Sequence, residues 1–419
     1  MDTNIGIYRR RTNCRVCAGT NLHMFIDYGD MPLAGNFVLK DQLEHVKLYP
    51  MDLVFCQDCS LVQILNVVDP NVLFTDYRYL SSVTHSLSKH FQDYAQLLKD
   101  KYLPKQSTFL VEIGCNDGVL LEPLKKLGVA VLGVDAAENV VELTKQRGIN
   151  VINAYFNKPI AEQIAAEYRR ADVITASNVF AHIDDLDEVM NGVDKLLMPD
   201  GIFIVEVHYV VDLLNTFQFD TVYHEHLCYY SIHALQALYK RFGFTVTDIQ
   251  RLPMHGGTVR VYAKRVGLKN IEISSVVKEM LKQEQDLGIH NVELYNEFGK
   301  DVEKYCYKLR EFIGDRKSSG HTLSAYGAAG RATILLNYCG FDNTIVEYVV
   351  DESPFRVGRY VPGVQVPIVP RNEFTRRPTR DCLITAWNYK DEIVGKEQDY
   401  LHHGSSFIMP LPKIQVIEV

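Results

Sequence analysis

The sequence predicts an α/β protein in three parts, and three observations carry that reading. Two CxxC pairs sit among short strand-like stretches near the start. A long alternation of apolar, β-branched runs with amphipathic stretches fills the middle. A second strand runs into a glycine turn in the last third. At ~100–200 residues per domain, 419 residues allow two to four domains, each with its own core. The expected division is 1–75, 76–290 and 291–419.

Composition narrows the class. Hydrophobic residues are 47 % and charged residues 23 %, which excludes a fibrous or mostly disordered chain. The net charge of −8 argues against sequence-independent nucleic-acid binding and against docking on anionic membranes. No apolar run is long enough to span a bilayer, and the first residues lack the apolar core of a secretory signal. No obligate protein partner is evident.

In the first part, short strands are expected at Leu22–Tyr28, Met51–Phe55 and Leu61–Ile64. Cys14, Cys17, Cys56 and Cys59 form two CxxC turns, each aiming two thiolates at one point. Together they predict a closed tetrahedral zinc site, structural because no coordination position stays open. Nine cysteines is an odd count, which suits a metal site in a reducing cytoplasm better than a disulfide framework. A zinc-finger DNA binder is the alternative, and the acidic balance and the large α/β remainder oppose it.

In the middle part, strands are expected at Phe109–Ile113, Val129–Val134, Val151–Asn153, Asp172–Ala176 and Gly201–Val207. Helical stretches such as Glu138–Arg147 and Leu186–Leu197 separate several of them, which is the order of a doubly wound, mostly parallel sheet. The first strand enters an ExGxxxG turn holding Glu112, Gly114, Asn116, Asp117 and Gly118. Its glycines permit a sharp bend close to a ligand. Asp135 ends the next strand, 21 residues after Gly114, where a carboxylate can accept hydrogen bonds from ribose hydroxyls. The turn resembles the S-adenosylmethionine (SAM) loop of Rossmann-like methyltransferases. That likeness implies that Glu112 and the loop hold the amino-acid end and Asp135 the ribose. The segment Asp172–Ile183, with Asn178 and His182, resembles the fourth strand that borders the cofactor, and Leu197–Glu206 the turn and strand after it.

The stretch Phe219–Ser231 is the densest polar and aromatic segment, and contains Tyr223, His224, Glu225 and His226. Read as extended chain, it places His224 and His226 on one face and Tyr223 and Glu225 on the other. Two imidazoles and a carboxylate fit a metal site or acid–base chemistry. In the second case Glu225 or Tyr223 orients the base or meets an oxyanion, and His182 is a further candidate in the same cleft. Tyr77 and Tyr79 stand at the junction of the first two parts.

Residues from about 275 to 315 are expected to be helical, with Val277, Met280, Leu281 and Leu287 at near-helical spacing. Strands follow at Thr322–Tyr326, Ile345–Val350 and Cys382–Ala386. The first of these enters a turn with Gly327, Gly330 and Arg331, and Asp351 ends the next one 21 residues after Gly330. With Arg356 and Arg359, this combination of helix N-terminus and guanidinium groups suits a diphosphate.

Taken together, these motifs resemble the sugar C-methyltransferases that methylate C-3 of nucleotide-linked 4-keto-6-deoxyhexoses. The likeness spans nearly the whole chain and includes the late segment Thr385-Ala386-Trp387-Asn388. It implies a Rossmann-like SAM-dependent methyltransferase domain between a small zinc-binding domain and a C-terminal Rossmann-like domain that holds the nucleotide sugar. His226 would be the base. Glu225, Tyr223 and one of Tyr77 or Tyr79, with Tyr77 preferred, would assist it. Tyr79, His182, His224, Gly327, Arg331, Arg356 and Arg359 would meet substrate. The alternatives are methylation of a hydroxyl or amine, a nicotinamide-dependent oxidoreductase or epimerase, and a non-catalytic zinc-bearing nucleotide binder. Ala328 and Ala329 depart from the more polar turn of relatives, which leaves the nucleobase open.

Overall fold

A computed structural model describes residues 7–74, 81–82, 85–105, 107–269 and 271–418. Tyr77 and Tyr79 lie outside the described residues.

The first part contributes β1 (Tyr8–Arg10), β2 (Leu22–Pro32), β3 (Leu48–Cys56), β4 (Val62–Ile64) and β5 (Asn66–Val68). β1 pairs with β5, and β2, β3 and β4 form an antiparallel meander. The two cysteine knuckles sit together at one end of it, where Leu22 pairs with Cys56. One precedes β2, and the other links β3 to β4.

The middle part contains β6 (Phe109–Ile113), β7 (Ala130–Asp135), β8 (Val151–Asn153), β9 (Ala171–Ser177), β10 (Leu197–His208), β11 (Cys228–Tyr229), β12 (Phe244–Leu252) and β13 (Thr258–Arg265). Seven of these form one sheet in the order β12-β13-β10-β9-β6-β7-β8. The pairs from β8 to β10 are parallel, and β13 runs antiparallel to both its neighbours. All five residues of β6 are buried, as expected for a strand with helices on both faces. Helix Leu186–Leu196 shows how those faces are covered. Asp185 caps it by accepting from the Glu188 N–H at 3.1 Å, and Leu186, Val189, Met190, Val193 and Leu196 turn inward.

β11 does not join that sheet. It pairs antiparallel with β4, Cys228 opposite Gln63, so the four-stranded sheet of the zinc-bearing part has the order β11-β4-β3-β2. The chain therefore returns from the middle part to complete the first sheet.

The expected helical connector is two helices, Ser275–Leu287 and Val292–Ser318. The first stops at Gly288, whose φ of +81° is the left-handed turn that favours glycine. The second lies so close to β2 that a Cβ on Gly299 would stand 2.1 Å from the Phe25 carbonyl oxygen. Tyr295 stacks on Phe55, their centroids 4.0 Å apart.

The last part has β14 (Leu323–Tyr326), β15 (Val349–Val350), β16 (Ile368–Val369), β17 (Asp381–Ile384), β18 (Ser406–Met409) and β19 (Gln415–Ile417). Their order is β16-β15-β14-β17-β18-β19, with only β19 antiparallel. This is the second Rossmann-like sheet. The strand expected at Ile345–Val350 shortens to its last two residues. Its beginning is a turn, in which Ile345 and Val346 both donate to the Asp342 carbonyl. Among the described residues, no helix is long and apolar enough to cross a membrane.

Candidate active site

The four knuckle cysteines converge. All four sulfurs lie within 4.8 Å of one another, with Cys14–Cys59 and Cys17–Cys56 each 3.5 Å apart. Both CxxC turns close the same way. Ala18 donates to the Cys14 carbonyl and Ser60 to the Cys56 carbonyl, each with φ near +60°. Thiol contacts from Cys56 and Cys59 pull Cys14 down to about 4, and contacts from Cys14 and Cys56 push Cys59 up. All four sulfurs can be thiolates at this separation only with a cation among them. A tetrahedral ion with Zn–S bonds of ~2.3 Å has the matching size, and four protein ligands make it structural.

The histidine segment is not extended. His226 donates its backbone N–H to the Tyr223 carbonyl at 2.8 Å, closing a turn over His224 and Glu225. The expected alternation is therefore overturned: Tyr223 and His226 share a face, and their ring centroids lie 4.0 Å apart. The reason is local. A turn of four residues returns its first and last side chains to one side. His224 is wholly buried elsewhere, its Nε2 3.2 Å from the Pro50 carbonyl on β3 and its ring against Tyr49. Burial lowers it to about 4. Glu225 accepts from the Gly35 N–H at 3.2 Å, and burial raises its carboxyl. Neither His224 nor Glu225 is brought to the His226 ring by a described contact.

Two other imidazoles flank His226, and a third stands behind one of them. The His226 centroid is 4.9 Å from that of His182 and 4.9 Å from that of His208, and His208 is 5.9 Å from His255. The His226 Nδ1–H donates to the Thr221 carbonyl at 3.1 Å, so the lone pair belongs to Nε2. Burial, reinforced by His208 and His182, holds His226 well below the usual histidine range. His182 and His255 are both lowered to about 4, burial being the main cause. His208 and His255 were not among the expected site residues. The pair Gly256-Gly257 beside His255 was the available signal. Both have positive φ, and a Cβ on Gly257 would meet Asp212 at 2.4 Å.

The glycine loop after β6 gathers the expected cofactor residues. Gly114 has φ of +66°, and a Cβ there would stand 2.5 Å from Val179. Asn116, at φ +47°, donates its N–H to Asp135 at 2.9 Å, and Asp135 also accepts from Ala137 at 3.0 Å. The second-strand carboxylate thus fastens the loop. Asp117 pairs with Arg147 at 3.1 Å and with the Ser82 hydroxyl. Three buried oxygens there lack a donor among the described residues: Glu112 Oε2, Asp117 Oδ1 and Asn178 Oδ1. Burial, then the charges of Asp135, Glu206 and Asp117, raise the Glu112 carboxyl well above its ordinary value. Acceptors awaiting donors, beside a loop that excludes a Cβ, fit the ammonium and hydroxyl groups of SAM. Behind the loop Glu206 is fully buried between Arg260 (2.6 Å) and His90 (3.0 Å).

The second glycine turn behaves alike. Asp351 accepts from the Ala328 and Ser353 N–H groups at 2.8 and 2.7 Å. Gly327, at φ +100°, leaves no room for a Cβ against Ala386. The expected arginines take different partners. Arg356 pairs with Asp351 at 3.3 Å and Arg359 donates to the Phe37 carbonyl at 3.2 Å. Arg331 instead reaches the histidine cleft. It donates to the His255 carbonyl and to Gln218, and lies over Trp387, 4.7 Å from the ring centroid.

Comparison with known proteins matches three families in succession along the chain. Residues 14–74 match the family described as "Putative zinc binding domain", 84–249 the family "Methyltransferase domain", and 253–412 the family "C-methyltransferase C-terminal domain". The chain is 34 % identical over 412 residues to the C-methyltransferase NovU of Streptomyces niveus, covering 98 % of each. It is 32 % identical over 104 residues to a ubiquinone biosynthesis O-methyltransferase of Bartonella tribocorum, covering 25 % of this chain and 42 % of that one. Among solved structures, magnesium protoporphyrin IX methyltransferase (ChlM) from Synechocystis PCC 6803 with bound SAM is similar at 14 % identity. Its TM-score is 0.32, over 42 % of this chain and 79 % of that one. The similarity to NovU runs from the cysteine knuckles through the SAM loop to the last Rossmann-like sheet. This chain therefore belongs to the C-methyltransferase family, with SAM and a structural zinc as its cofactors.

Proposed function

We propose that the enzyme removes the C-3 proton of a nucleotide-linked 4-keto-6-deoxyhexose and methylates that carbon, in deoxysugar biosynthesis in the cytoplasm. One observation carries the reading. The His226 Nε2 lone pair belongs to a ring packed against Tyr223 and flanked by His182 and His208. A neutral imidazole is the form that takes a proton. A C-3 hydrogen beside a 4-ketone is acidic because its electron pair passes into C3=C4 while the carbonyl pair moves to O4. Tyr223 is a donor to that oxygen, and Tyr77 a second one. When bound, SAM supplies an electrophilic methyl on a good leaving group. Glu112, Asn116, Asp117, Asp135 and Asn178 orient it. Gly327, Arg356 and Arg359, from the 291–419 domain, hold the nucleotide diphosphate, and Tyr79 and His182 the sugar; His224, buried against Pro50 and Tyr49, only packs.

Incubation with SAM and a panel of dTDP-, GDP- and CDP-linked 4-keto-6-deoxyhexoses tests this. A gain of one methyl on C-3 is expected. Methyl on oxygen or nitrogen, or no product with any of them, would overturn it.

A further inference from the structure

The cleft holds a cation that the glycine-turn reading places elsewhere. Arg331 begins helix Gly330–Cys339, yet its guanidinium is turned back across the domain boundary. Four groups fix it. Nη2 donates to the His255 carbonyl and lies 3.4 Å from Gln218 Oε1. The face covers Trp387. Asp220 stands 3.9 Å from Nη1, and its other oxygen accepts from the Trp387 indole N–H at 2.8 Å.

This clamp leaves one corner unsatisfied. Arg331 Nη1 is buried and has no hydrogen-bond partner among the described residues, and neither has Asp220 Oδ1 opposite it. A buried donor of a charged group without an acceptor is uncommon and costly. The helix that carries Arg331 starts against this cleft: a Cβ on Gly330 would stand 3.4 Å from the Tyr223 ring, which packs on His226. The Arg331 charge is felt at His226, His208 and His255, where it opposes protonation. A cation that disfavours imidazolium hinders proton removal unless a negative charge forms beside it in the same step.

We infer that Arg331 is a catalytic residue: its Nη1–H donates to the 4-oxygen of the ketosugar as negative charge develops there. The step balances. The C3–H bond breaks and its proton goes to His226 Nε2. The bonding pair forms C3=C4, and the carbonyl π pair moves onto O4, facing the guanidinium. This deepens the proposed function and rests on it. A diphosphate ligand would instead act on the remote half of the substrate.

The test is exchange of the C-3 hydrogen in D2O, without methyl donor, using the same panel of 4-keto-6-deoxyhexose nucleotides and the full chain. Arg331→Gln is expected to slow saturated exchange by ~10²–10³-fold, the loss seen when one oxyanion donor is removed. Its Kd for the sugar nucleotide should change much less. Arg331→Lys should retain part of the rate. Added guanidinium should restore exchange to Arg331→Ala, which a merely structural role would not allow. Saturated exchange at the parental rate with weakened nucleotide binding, or a slow variant that guanidinium does not rescue, would overturn the role. Absence of exchange in the unmodified enzyme with every nucleotide would instead sink the C-3 reading beneath it.

Discussion

Tyr223 and His226 pack ring against ring because the chain turns between them: the His226 N–H meets the Tyr223 carbonyl at 2.8 Å, and the ring centroids close to 4.0 Å with the planes tilted by 33°. The proposed base and its neighbouring phenol are thus held by backbone, while the rest of the cleft is assembled from β10, from the loop before β13 and from the last domain.

Replacing His226 should remove the base. His226→Ala is expected to lower C-methylation by ~10²–10⁴-fold, while SAM still binds by calorimetry. Parental turnover in that variant would refute the assignment.

The pH profile should follow from burial. His226 is held well below 6.5, and His182 lies at about 4. A base works deprotonated, so a lowered value moves the acid limb of kcat/KM downward. Activity should hold through pH 6.5 and fall only below it. A limb centred above 6.5 would contradict this.

Glu112 should trade stability for binding. Its carboxyl is wholly buried and raised in the folded state, so folding favours the protonated form. Stability falls as pH rises from about 4.5 toward the folded value, and the penalty is present at neutral pH. Glu112→Gln should remove that pH dependence. It should also stabilise the unliganded protein by ~1–3 kcal/mol in denaturant titration at pH 7, while SAM affinity drops.

Zinc removal should act on the cleft through the sheet. Chelation under denaturing conditions should release about one equivalent of zinc, and Cys17→Ser should lower the unfolding midpoint. Hydrogen exchange at Cys228 and Tyr229 should speed up together with that at β4, because those strands pair.

Gly299→Ala should destabilise despite better helix propensity. The added carbon meets the Phe25 carbonyl at 2.1 Å, and backbone cannot swing aside as a side chain does. A loss of ~1–3 kcal/mol is expected, read by denaturant midpoint.

Much of this architecture was legible in local pattern. CxxC spacing names its own chemistry, and strands such as Phe109–Ile113 and Ala171–Ser177 follow from runs rich in apolar and β-branched residues. The loop carboxylates Asp135 and Asp351 were legible from their shared spacing after a glycine. The rest depended on contacts between distant segments. Alternation along 223–226 failed because a turn, not a strand, carries those residues. His208 and His255 join the cleft through the pairing of β10 with β13, which aligns His208 with Thr258. Nothing near Arg331 in the chain indicates that its partners are Gln218, Asp220 and His255, more than 75 residues away.

The edge strand Cys228–Tyr229 also bears on modularity. A shuffled gene that swaps the first 75 residues for a homologous segment must keep the new β4 compatible with the recipient's own Cys228–Tyr229 strand, or that strand loses its seat and drags the neighbouring turn with it. Recombination across this fold is therefore expected to succeed in pairs of segments, not single blocks.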